Sequence, residues 1–146
     1  KMAYFFLILI LFIQIIIGAF VSGLDAGKIY QTWPLMGFNY FPNDLITNDY
    51  KSIFDFNNHS LIQFYHRNMA YFITIYIFIL NYLIIKNQNK FLYKPIIILF
   101  LFLFLKIGLG IFTLLSDLNI ILASAHQIIS VFLILSAINL YHSLIK

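Results

Sequence analysis

Two histidines stand at matching depth in two separate apolar stretches of this chain. His66 lies 20 residues before Lys86, and His126 lies 20 residues before Lys146. At about 1.5 Å of rise per residue, each imidazole sits roughly 30 Å from the lysine that closes its stretch. An ionisable group at membrane depth is costly and marks a functional site by default. Two imidazoles at one level, on different helices, have the chemistry to hold one metal between them. Haem iron with two axial histidines suits electron transfer or a structural b-type haem. The competing account makes both interfacial residues bonded to backbone carbonyls, and depth alone leaves the two open.

Neighbouring residues bear on the same choice. Ala70 and Ser130 follow the histidines by one turn, and Thr74 follows His66 by two. Small side chains there leave room for a flat macrocycle, and they equally favour helix packing. Arg67 has the fork geometry to pair with a haem propionate, or it snorkels at the interface. Gln63 shares the His66 face three residues earlier and can hydrogen-bond, but it cannot do acid–base work. His59 and His142 read as ordinary exposed residues. Lys106 lies twelve residues beyond Lys94, well inside its stretch, and snorkelling is the simplest account of it. Gly18, Ser22, Gly23 and Gly27 read as close-packing and turn positions. There is no dinucleotide, Walker, zinc or nucleophile-triad pattern. With no Cys in 146 residues, disulfides and thiolate sites are excluded.

These residues must be positioned by membrane helices. Hydrophobic residues make up 62% of the chain and charged residues only 10%, where a soluble domain carries roughly 25% charge. Four apolar stretches, 2–21, 61–85, 91–115 and 120–145, approach or exceed the roughly 20 residues a bilayer requires. The fold class expected is all-α, an integral membrane four-helix antiparallel bundle forming one domain over 1–146, with cofactor space in its core. The loop 22–60 holds Asp25, Asp44, Asp49 and Asp55, four of the five acidic residues, and is expected to lie at the interface. Lys86, Lys90 and Lys94 flank the middle hairpin, and Lys1 and Lys146 mark the ends. The positive-inside rule then puts the lysines in the cytoplasm or matrix and the long loop outside. The net charge of +4 is scattered or sits at span ends, so nucleic acid is not expected as a partner. A chain that starts on Lys1 reads as a fragment, and Met2–Phe20 reads as a span rather than a signal peptide. Gln14-x-x-x-Gly18-x-Phe20 also aligns with Lys106-x-x-x-Gly110-x-Phe112, as if one hairpin plan were used twice.

The segments Gly18-Ala-Phe-Val-Ser-Gly-Leu-Asp-Ala-Gly27, Trp33-Pro-Leu-Met-Gly37 and Gln63-Phe-Tyr-His-Arg67 are followed by Leu109-Gly-Ile-Phe-Thr-Leu-Leu115 and Leu122-Ala-Ser-Ala-His-Gln127. Together they resemble the C-terminal half of the heme A synthase (CtaA/Cox15) family. The resemblance implies one half of an eight-span, pseudo-duplicated oxidoreductase. That enzyme oxidises a methyl of haem O to the formyl of haem A for cytochrome oxidase biogenesis. It implies haem b as cofactor, with His66 and His126 as axial ligands of its iron. In the family's N-terminal half a glutamate precedes the His-Arg pair by three; here that position is Gln63, so no catalytic residue is expected and the catalytic half is expected to be missing. The implied partners are that N-terminal half, haem O and the lipid bilayer, with haem O synthase or a second copy as further candidates. The implied location is the bacterial cell membrane or the mitochondrial inner membrane. Lys106 departs from the family's usual Gln, and the lack of Cys fits the branch without a loop disulfide. The alternative function is a stand-alone four-helix b-type cytochrome, and a haem-free packing bundle is a third.

Overall fold

The computed structural model describes residues 1–45, 54–86, 88 and 90–145. Four long helices carry the chain: α1 (Met2–Gly23), α2 (His59–Lys86), α3 (Tyr93–Leu115) and α4 (Ile120–Ile145). All four are long and apolar enough to cross a membrane. The shortest, with 22 residues, reaches about 33 Å, just over the hydrocarbon thickness. In a bilayer a helix is favoured because it satisfies every backbone polar group within its own segment. The large exposed side chains, among them Phe12, Ile75, Phe104 and Leu135, form the surface that lipid covers.

Local chemistry sets the helix ends. The Asn58 side chain accepts the Leu61 N–H at 3.0 Å, and the Asn119 side chain accepts the Ile121 N–H at 3.0 Å, so asparagines cap α2 and α4. Pro95 sits in the first turn of α3, where a missing N–H costs nothing. The turn from α3 to α4 places Asp117 and Leu118 at φ 56° and 58°. Leucine is rarely tolerated there, and its side chain is held against Gly27, where an added Cβ would come within 2.8 Å of it.

The helices run around the bundle in the order α2, α1, α4, α3. The closest pairings are α1 with α2 and α3 with α4, and α2 lies across from α4. The main hydrophobic cluster fills the end that carries the Lys90–Leu92 turn. Leu7, Ile10 and Leu11 meet Ile77, Leu80 and Ile84 there, together with Leu99, Leu103, Leu133 and Leu140. Asn81 is fully buried among them and accepts the Tyr4 hydroxyl at 3.3 Å, while its Nδ2 has no partner. Toward the other end the packing changes. No residue from Phe104 to Ile129 is buried, nor any from Phe64 to Phe72. Residues 24–45 close over this looser end, which we call the loop end.

Of the expected loop 22–60, residues 46–53 lie outside the described residues, Asp49 among them, as do Asn87, Asn89 and Lys146. The first helix extends to Gly23, so Ser22 belongs to a helix rather than to the loop.

Candidate functional site

His66 and His126 both project into the looser loop end. Their ring centroids are 6.4 Å apart, with the planes at 68°. Each ring rests on a glycine of the partner helix in its own pair. A Cβ at Gly18 would lie 3.1 Å from His66 Cε1, and one at Gly110 would lie 2.8 Å from His126 Cε1. The two helix pairs therefore repeat one contact, and the Gly18 and Gly110 alignment in the sequence is its trace.

Four residues before each glycine stands the polar partner of the same histidine. Gln14 Nε2 donates to the His66 carbonyl at 3.0 Å and lies 3.2 Å from His66 Nδ1. Gln14 is buried, and its Oε1 has no hydrogen-bond partner among the described residues. On the other side, His126 Nδ1 donates to the Lys106 carbonyl at 2.9 Å. That bond fixes the tautomer and leaves the Nε2 lone pair free to accept. Lys106 Nζ lies 3.0 Å from that Nε2, and it also donates to the His126 carbonyl at 3.2 Å and to Ser130 Oγ. Lys106 thus does not snorkel. It turns inward because three acceptors stand within reach on α4, one helix away.

Arg67 is also placed differently from either sequence expectation. Its guanidinium donates to the carbonyls of Thr32 at 2.9 Å, Leu35 at 3.3 Å and Tyr30 at 2.8 Å. Gln63 Nε2 donates to the same Tyr30 carbonyl at 2.9 Å. Both residues therefore fasten the Tyr30–Leu35 turns to α2. The fastened segment is itself a set of turns. Thr32 Oγ1 donates to the Leu35 carbonyl at 2.8 Å and accepts the Gly37 N–H at 2.8 Å, with Gly37 at φ 71°. Gln31 donates to Asp117, which ties the loop to the α3–α4 turn as well.

His59 opens α2 and, with Tyr30, Asp44, Asn57, Asn58 and Ser60, lines a shallow cavity of about 520 Å³ on the loop surface. There Tyr30 donates to Asp44 at 2.9 Å, and burial together with that carboxylate raises the phenol above its ordinary pKa. His142 lies in the last turn of α4, far from the other histidines. Among the described residues no three His, Cys, Asp or Glu side chains converge. Composition and depth pointed to the histidines. The roles of Gln14 and Lys106 were not read from the sequence, although their shared offset of four from the glycines was a usable signal.

A profile described as cytochrome oxidase assembly protein, COX15-CtaA, matches residues 1–138. The chain is 44% identical over 135 residues to a heme A synthase of Pelagibacter ubique, covering 90% of this chain and 38% of that protein. It is 37% identical over 139 residues to a heme A synthase of Rickettsia bellii, covering 95% of this chain and 41% of that one. Against a heme A synthase of Rickettsia felis it is 35% identical over 127 residues, covering 87% and 37%. The chain thus spans about two fifths of the length of the relatives it matches. No solved structure gives a significant match.

Proposed function

The chain belongs to the COX15-CtaA family of cytochrome oxidase assembly proteins, and on that footing we propose that it is the haem-b-binding C-terminal half of a heme A synthase. In this reading His66 and His126 hold the haem iron from α2 and α4, and the substrate, haem O, is handled by a separate N-terminal half. The observation that carries it is the 6.4 Å between the two ring centroids. Two metal–imidazole bonds of about 2 Å, plus a ring radius of roughly 1.1 Å at each end, span about 6 Å.

Three further features support the fit. Among the described residues no third His, Cys, Asp or Glu joins the two imidazoles, which suits a metal that brings its own ligands, as a macrocycle's nitrogens do. No residue from Phe104 to Ile129 is buried, so α3 and α4 are less tightly packed beside the two histidines than at the core end. The Lys106 carbonyl accepts the His126 Nδ1–H, the orienting bond that leaves Nε2 for a metal.

When bound, the haem supplies one-electron redox chemistry. The residues around it hold and orient. The Lys106 carbonyl sets the His126 tautomer, Gln14 bonds the His66 backbone, Gly18 and Gly110 set the ring positions, and Arg67 with Gln63 holds the Tyr30–Leu35 turns in place. Gln63 stands where proton transfer would require an acid; its Nε2 is committed to the Tyr30 carbonyl and an amide does not transfer protons. This favours electron relay over substrate oxidation for this segment. The lysines at the core end face the cytoplasm or matrix by the positive-inside rule.

The test is the haem spectrum of the purified protein with His66 and His126 replaced by Ala, singly and together. The expected result is loss of the low-spin absorption. A double variant that keeps the full low-spin spectrum overturns the assignment.

A further inference from the structure

The two histidines are served by equivalent positions that differ in one respect. Gln14 is neutral and Lys106 is a cation, and both act on the imidazole that rests on the glycine four residues later. Among the described residues no carboxylate pairs with Lys106. The ion pair found among the described residues is Lys28–Asp25, and that lies in the loop. Lys106 is nine residues before the end of α3, and His126 is six residues after the start of α4. The lysine's backbone is therefore about 4–5 Å deeper in the bundle than its histidine's. It lies on the core side of the site, away from the loop end where the carboxylates are. Two of its three acceptors, the His126 carbonyl and Ser130 Oγ, do not depend on Nε2. They keep the ammonium beside the site when Nε2 is taken by a metal.

We infer that Lys106 is a positioning cation that raises the reduction potential of the haem held by His66 and His126. The inference rests on the proposed haem site. A positive charge close to iron stabilises the ferrous state, which carries one positive charge fewer than the ferric. At roughly 6 Å and an effective dielectric near 20, the interaction amounts to about a tenfold to hundredfold change in the ferric–ferrous equilibrium. For a one-electron couple each tenfold is about 59 mV. Water does not screen the interaction at this depth, so salt in the buffer has little effect on it.

The test is redox titration of the haem in protein purified from membranes, with the absorption spectrum recorded alongside. Lys106→Gln, which copies the Gln14 side, and Lys106→Met, which removes the donor as well, are both expected to lower the midpoint by one tenfold step or more. Lys106→Arg is expected to hold it. Gln14→Lys adds a second cation on the other side and is expected to raise it. A midpoint that stays put in both neutral variants overturns the inference. So does one that follows hydrogen bonding, falling in Met but not in Gln. Either result, obtained with the two-imidazole spectrum intact, leaves the haem reading standing. A wild-type protein without that spectrum overturns the haem reading and this inference with it.

Discussion

Replacing Gly110 by Ala isolates the contact that seats His126. An added Cβ lies 2.8 Å from His126 Cε1 and 3.1 Å from Nδ1. Carbon atoms pack best at about 3.5–4.0 Å, so the ring must retreat by roughly 0.7 Å or more. It is not free to do so, because Nδ1 is tied to the Lys106 carbonyl at 2.9 Å and Nε2 to Lys106 Nζ at 3.0 Å. Retreat along that direction weakens one hydrogen bond, worth about 1 kcal/mol, and overpacking of this kind costs about 1–3 kcal/mol. Alanine recovers about 0.8–1.0 kcal/mol of helix propensity. The balance is a loss of about 1–3 kcal/mol, with the ring displaced from its place opposite His66.

Gly108, two residues earlier in the same helix, is the internal control. Nothing lies within 4 Å of a Cβ built there. Gly108→Ala is therefore expected to stabilise by about 0.5–1 kcal/mol and to leave the site alone. The assay is thermal unfolding in detergent together with haem retention and the low-spin spectrum. Gly110→Ala is expected to lose stability and haem while Gly108→Ala keeps both. Equal behaviour of the two variants refutes the claim that Gly110 is required by the histidine.

Two further outcomes follow from the loop. Arg67→Ala removes three bonds to the Tyr30, Thr32 and Leu35 carbonyls, and a buried charge-assisted bond contributes about 1.5–3 kcal/mol net. Limited proteolysis should then cut between Tyr30 and Leu35 faster, by at least tenfold, and an unchanged rate would show that the loop is held by other contacts. Single cysteines at Asn43 and Gln88 report the orientation: an impermeant thiol reagent applied to intact cells is expected to modify position 43 and spare 88, and the reverse would invert the topology.

Burial of apolar surface is close to additive along a chain, which is why the four spans can be read directly from runs of Ile, Leu and Phe. The cost of a charge in a bilayer is equally local, so Lys86, Lys90 and Lys94 stand out as one end of the bundle and His66 and His126 as residues needing a reason. The Gly18 and Gly110 repeat is legible for the same reason, being set by spacing within a few residues. Tertiary structure decided which acceptor each polar side chain meets. Gln14 meets His66 from 52 positions away, and Lys106 reaches its acceptors on α4 across 20 or more. Arg67 could have pointed outward, toward a ligand or toward the loop; three carbonyls of the Tyr30–Leu35 turns settled it. A hydrogen bond of a few ångströms depends on which helix faces which, and at what height. Composition does not carry that information, since the same apolar spans pack in several orders around a bundle at nearly the same burial.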